Sequence, residues 1–253
     1  MLGLTSISFR GKTCTEVIGL AKKAGLDGIE WGGDVHVPPE NEEGAAQVGQ
    51  MTREAGLEVL SYGSYYRLCQ GTDFHPVLRA AKALGAPMVR IWAGSVERET
   101  IDPAYMDQAA GELRRVCALA QGEGLRVSLE YHRWTLTWHS DSACMLLKKA
   151  GAGNLHTYWQ PNPDISHAEN CCELAEILPW LSSFHVFQWN RGDERRPLCE
   201  GEDVWRDYYR IAGDRLRNSL LEFIRGDSAA QLQADAQVLK QWESAFQRTG
   251  ASK

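Results

Sequence analysis

The chain has 253 residues, with 27 Lys and Arg against 33 Asp and Glu, for a formal net charge of −6. Its length suits one large domain or two small ones, and 43% hydrophobic with 24% charged residues excludes a disordered chain. No apolar run reaches the roughly 18 residues that cross a bilayer, MLGLTSISFRGK lacks the pattern of a secretory signal, and a net negative charge disfavours a dedicated nucleic-acid binder.

One module recurs along the chain: an amphipathic stretch ends at Gly, and a short apolar run follows. EVIGLAKKAGLDGIEW shows it first, then MTREAGLEVLSYG, LRAAKALGAPMVRIWAG, LRRVCALAQGEGLRVSLEY and MLLKKAGAGNLHTYW. Gly suits these junctions because a helix C-cap asks for a left-handed residue. The continuous apolar runs are those of parallel strands buried on both faces. The pattern predicts strands at Thr5–Phe9, Gly28–Trp31, Glu58–Tyr62, Met88–Ala93, Arg126–Tyr131, Leu155–Gln160, Ser183–Gln188 and Ser219–Ile224. Helices fill the gaps, HAENCCELAEIL reads as one of them, and a last helix runs through QLQADAQVLKQWESAF. About eight strand–helix units in about 250 residues make an α/β chain, a (β/α)8 TIM barrel in a single domain spanning 1–253, with 249–253 a frayed tail. The rival, an open doubly wound sheet, is disfavoured because no GxGxxG turn follows the first strand. Seven cysteines, an odd number with no CxxC pair, argue against a disulfide framework or a zinc ribbon. A reducing cytoplasm is the expected location.

A barrel of this kind does its chemistry at the C-terminal ends of its strands, which reduces the search to eight windows. The second strand supplies Glu30, Trp31 and the following His36; the third runs into Tyr62, Tyr65 and Tyr66; the fourth ends at Trp92. The fifth gives Glu130, His132 and Arg133, the sixth Trp159, Gln160 and Asn162, the seventh His185, Gln188 and Arg191, and the eighth Glu222. Glu130 and Glu222 stand out because each lies in an apolar strand, where a lone carboxylate is costly to bury. Each could serve in a structural salt bridge; together with His185 they could instead converge on one centre that binds a divalent cation and moves protons. His36, His132 and Arg191 are candidates for the substrate pocket or for the surface. Trp31, Trp92, Trp159 and Trp189 could wall a sugar face or pack in the core. His75, His156 and His167 read as structural.

The sequence resembles the xylose isomerase-like TIM barrels of the sugar phosphate isomerase/epimerase superfamily over nearly its whole length. The resemblance rests on GLTSISFRG, AKKAGLDGIEW, SLEYH, FHVFQWNR and LLEF in this order and spacing. It implies a metal site built by glutamates from strands five and eight, an acidic ligand from strand six and a histidine from strand seven. Glu130, His185 and Glu222 match three of these positions, and Arg191 matches an arginine found six residues beyond the histidine in ketose 3-epimerases. YWQPNPD departs from the pattern, with Gln160 in place of an aspartate and Pro163 near a histidine position. A neutral amide there lowers the charge offered to a cation and so weakens its binding.

The expected protein is therefore an isomerase or epimerase of a small keto-sugar, polyol or sugar acid that works through a metal-stabilised enediolate. Glu130 and Glu222 are the expected proton carriers. Glu130, Gln160, His185 and Glu222 are the expected ligands of a weakly held divalent metal (Mn2+, Mg2+, Co2+ or Zn2+). His36, Trp92, His132, Asn162, Gln188 and Arg191 are the expected substrate contacts. The alternatives are a dehydratase of a keto-polyol, with His132 or His36 as the acid, and a non-catalytic sugar-binding barrel. A nuclease on this fold would need more His and Asp ligands than the windows supply. The expected partner is a small carbohydrate, with neither nucleic acid nor membrane; assembly into a homo-oligomer is left open.

Overall fold

The repeated module is realised as strands and helices in alternation. A computed structural model describes residues 1–97, 100–190 and 193–250, with the backbone alone for 246–250. In chain order the elements are β1 (Leu2–Thr5), α1 (Cys14–Lys23), β2 (Gly28–Gly32), α2 (Glu42–Glu54), β3 (Glu58–Arg67), α3 (His75–Leu84) and β4 (Met88–Trp92). They continue with α4 (Pro103–Gly122), β5 (Arg126–Glu130), α5 (Ser140–Ala150), β6 (Leu155–Trp159), α6 (His167–Ile177) and β7 (Leu181–Val186). An antiparallel pair, β8 (Gln188–Asn190) and β9 (Glu194–Arg196), precedes α7 (Glu202–Ala212), β10 (Asn218–Leu221) and α8 (Ala229–Gly250). Gly85 and Gly151 follow α3 and α5 with φ of 78° and 60°, the left-handed caps expected of this module.

Eight parallel strands close in the order β1-β10-β7-β6-β5-β4-β3-β2, so the chain adopts the expected (β/α)8 barrel as one domain. The first strand lies earlier than its expected place at Thr5–Phe9. Leu2, Gly3 and Leu4 pair with Ser219–Leu221 of β10, while Ser6–Phe9 coils into a 3-10 turn. Serine hydroxyls stabilise that turn: Ser6 Oγ accepts from Gly32 N at 2.8 Å, and Ser8 Oγ lies 3.2 Å from Thr5 Oγ1. The eighth barrel strand ends at Leu221 rather than Ile224, and the sixth at Trp159, one residue before Gln160. At the C-terminus α8 continues through Gly250, four residues beyond the expected helix and into the expected tail; residues 251–253 lie outside those described. No helix among the described residues is long and apolar enough to cross a membrane.

Most of the core lies between the strands and their helices. A separate apolar plug of Leu60, Met88, Tyr158 and Leu220 fills the barrel lumen. Gly3 leaves room for it, since a Cβ there would overlap the Leu60 and Leu220 side chains. Side chains alternate along a strand, so two residues beyond the plug Arg90, Gln160 and Glu222 also face inward. The apolar floor thus sets the height at which the polar residues begin.

Candidate active site at the strand C-termini

Glu130 ends β5, His185 lies in β7 and Glu222 follows β10. One ligand-type atom from each lies within 4.8 Å of the others, and all three are buried. His185 Nδ1 is 3.2 Å from Glu222 Oε2, 3.6 Å from Glu130 Oε1 and 3.1 Å from Gln160 Oε1. The other three expected ligand residues therefore surround one ring nitrogen of His185.

Two residues to which the sequence reading gave no role complete the centre. Arg90, 1% exposed, lies across the lumen; its Nε donates to Glu30 Oε1 at 2.9 Å and its Nη1 to Glu130 Oε2. Glu30, also 1% exposed, accepts from Ser61 Oγ at 2.6 Å and stands 3.5 Å from His185 Nε2. A buried carboxylate in an apolar strand was a signal that applied to Glu30 as well as to Glu130. The arginine in MVRIW carried the complementary sign. Glu130 is in a salt bridge and also faces the cluster: its Oε2 pairs with Arg90 and accepts from Trp92 Nε1, while its Oε1 faces His185.

Three carboxylates against one guanidinium leave a formal −2 around a neutral His185. A divalent cation would cancel that charge. The donors are those that hard and borderline cations prefer, and Glu222 Oε2 is buried with only His185 Nδ1, itself a ligand-type atom, beside it among the described residues. The residues thus fit a divalent ion, with Nδ1 as the imidazole ligand and Glu30 beside the other ring nitrogen, where a carboxylate orients such a histidine. Burial disfavours a charged His185, but Glu222 and Glu30 outweigh it and raise its pKa to about 9. For Glu30, burial is outweighed by Arg90, which holds the carboxyl far below its ordinary value.

The other expected contacts divide. Trp92 is at the centre through Glu130, and His132 stacks on it with ring centroids 4.1 Å apart. His132 Nδ1 lies 2.8 Å from the carbonyl oxygen of Arg133 and must donate to it, which leaves the lone pair on Nε2; burial lowers its pKa. Beside them opens a cleft of about 260 Å³ lined by His132, Trp134, Trp138, Gln160, Asn162 and Phe223, among others. Asn162 also anchors the loop, with its N–H on Asn170 Oδ1 and its Oδ1 accepting from Asp164 N. His36 is not brought to the centre. It packs edge-on to Trp31, and its Nε2 is 3.1 Å from the carbonyl oxygen of Lys12. Gln188 sits in β8 against Gly201, away from the cleft. Arg191 lies outside the described residues. Among the tryptophans, Trp31 and Trp159 are core residues, whereas Trp189 lines the cleft.

The xylose isomerase-like TIM barrel family model matches residues 18–218. A 3-dehydroshikimate dehydratase from Bacillus anthracis is 23% identical over 198 residues, which cover 72% of this chain and 69% of that protein. Among solved structures, the probable 3-DHS dehydratase of petrobactin synthesis from Bacillus anthracis superposes with a TM-score of 0.78 at 20% identity, covering 94% of this chain and 98% of that one. L-ribulose 3-epimerase superposes with a TM-score of 0.75 at 13% identity, covering 99% and 96%. At such identities these structures share a fold with the chain. With the family model covering most of its length, the chain belongs to the xylose isomerase-like TIM barrel family.

Proposed function

We propose that the protein is an enzyme that forms an enolate from a small hydroxylated carbonyl compound and expels a neighbouring hydroxyl as water. The observation that carries this reading is the inequality of the two glutamates. Glu130 Oε2 is engaged by Arg90 and Trp92, whereas Glu222 Oε2 is buried and faces no partner among the described residues other than His185 Nδ1, at 3.2 Å. Epimerisation returns a proton to the opposite face from a second base; elimination needs one.

In this reading Glu130, Gln160, His185 and Glu222 would hold a divalent ion, which would supply Lewis acidity toward the substrate carbonyl. Glu222 takes the proton α to that carbonyl. The C–O bond to the β-hydroxyl breaks as the C=C bond forms, and the proton held by Glu222 leaves on the departing oxygen as water. His132, held by stacking on Trp92 and neutral with its lone pair on Nε2, accepts a hydrogen bond from a substrate hydroxyl and so orients the ring or chain. Trp134, Trp138, Trp189 and Phe223 give the cleft apolar walls that exclude water and suit a ring face. The dehydratase among the relatives supports this choice.

Isomerisation or epimerisation is the second reading, because Glu130 Oε1 still faces the centre from the β5 side. The readings separate in D2O with Mn2+ and a panel of hydroxylated ketones. Elimination gives an ultraviolet band from the new conjugation, lost in Glu222→Gln at unchanged melting temperature. Deuterium uptake at the α-carbon without that band would overturn elimination in favour of the second reading. Neither signal from a metal-loaded protein would favour a non-catalytic barrel.

A further inference from the structure

β3 overruns its neighbour. Its pairing with β4 goes from Gly63↔Arg90 directly to Arg67↔Trp92, so four residue steps on β3 match two on β4. The surplus forms a bulge, a device that re-aims side chains at barrel rims. Within it Tyr65 has φ 58°, a left-handed conformation that is strained for a bulky residue. The result is that Tyr65 lies 5.6 Å from the Trp92 ring and Arg67 stacks on it, with its guanidinium carbon 3.4 Å from a Trp92 ring centroid. Trp92 is the residue that donates to Glu130 and carries His132, so Arg67 stands one indole ring from the reaction centre.

Arg67 differs from the other arginines around the barrel mouth. Arg10 is paired with Asp34, Arg90 with Glu30 and Glu130, and Arg133 with Asp193 and Asp164. Arg67 has no carboxylate within ion-pair distance among the described residues. Its Nη1 has only neutral acceptors, Ser95 Oγ at 3.2 Å and the Gly94 carbonyl oxygen at 3.4 Å. Burial penalises its charge and lowers its pKa. A partly desolvated guanidinium that stacks on an aromatic ring and lacks an anion gains by pairing with one. Tyr65 adds a donor: its oxygen accepts from Arg10 Nη2 at 2.6 Å, which leaves the phenolic proton to give, and burial keeps the phenol neutral with its pKa raised to about 12.

We propose that Arg67, assisted by the Tyr65 hydroxyl, is an anion subsite that takes the carboxylate of the substrate, so that the enzyme acts on a hydroxylated keto acid and not on a neutral sugar. This rests on the reading of the Glu130–His185–Glu222 centre as an enolate-forming site. One planar fork of N–H donors matches the two oxygens and single charge of a carboxylate; a phosphate dianion would leave a charge unmatched.

The test compares a vicinal dihydroxybenzoate with its methyl ester by titration calorimetry on the Mn2+-loaded protein. Both probes offer the ring and the paired oxygens; only one carries charge. The acid should bind on the order of tenfold tighter, an increment of the size that a charge-assisted hydrogen bond supplies. In Arg67→Met the acid should fall to the level of the ester. Arg67→Lys should keep part of the preference, because an ammonium retains the charge without the fork. Circular dichroism confirms that both variants are folded. If wild type binds the two probes equally, or the preference survives in Arg67→Met, the subsite is wrong while the enolate reading stands. If neither probe binds, the enolate reading fails and the subsite falls with it.

Discussion

Glu130 and Glu222 are both buried glutamates at strand ends, yet Arg90 and Trp92 occupy one oxygen of Glu130 and leave Glu222 Oε2 facing only His185 Nδ1 among the described residues. Gln160 is the third oxygen donor around His185 Nδ1, at 3.1 Å. It brings no charge, so a divalent ion at this centre is held by one carboxylate fewer than a glutamate or aspartate would give. Gln160→Glu keeps the reach and adds the charge, and it should tighten Mn2+ binding about tenfold, worth ~1.4 kcal/mol. Titration calorimetry on wild type, Gln160→Glu and the shorter Gln160→Asp measures this. If neither acid tightens the ion and wild type binds none at millimolar concentration, the metal-dependent chemistry is wrong.

At the scale of an element, β3 shows how backbone geometry prepares the centre. The Arg90 guanidinium lies across Gly63, and a Cβ at that position would collide with Arg90 Nη2 and approach Glu30 Oε1 to 3.2 Å. Glycine is needed here because a buried ion pair occupies the space, since Gly63 is not among the glycines of positive φ. Gly63→Ala should therefore destabilise the fold by about 1–3 kcal/mol through overpacking. It should also weaken Mn2+ binding by displacing the arginine that orients Glu130. Urea unfolding and calorimetry read the two effects. An alanine variant as stable as wild type would show that the guanidinium can lie elsewhere. Two residues on, the bulge carries Tyr65 and Arg67 over the mouth. GSYYR lies beyond the strand expected at Glu58–Tyr62, yet β3 continues through it to Arg67, because a bulge shows itself only when the partner strand is in place.

For the whole molecule, closing the barrel gathers charges from five strands into one small volume, and their coupling sets its response to pH. Burial works against a protonated His185, but Glu222 and Glu30 raise its pKa from 6.5 to about 9. A folded-state pKa above the unfolded one stabilises the fold fully below about pH 6.5, and the contribution is lost as pH rises through about 9. The metal-free protein should thus lose stability between these limits. Affinity for Mn2+ should rise over the same window, because the ion competes with the His185 proton for Nδ1. Melting temperatures with chelator, and Mn2+ titrations across that range, check both halves. A flat profile in His185→Gln would assign the effect to this ring, and a slope persisting there would overturn it.

The repeat of helix, glycine and apolar strand determined the barrel from sequence alone, because local capping and periodicity specify each unit and the number of units forces closure. The rule that chemistry lies at strand ends then brought Glu130, Gln160, His185 and Glu222 into view before any distance was known. Their convergence on one ring nitrogen, the burial of Glu30 and Arg90 beside them and the bulge that turns Arg67 onto Trp92 belong to the tertiary structure. Periodicity specifies which face a side chain takes along its own strand. Which residue of another strand it meets depends on register and bulges, and these are settled when eight strands, each satisfied locally, close into one ring around a shared apolar plug.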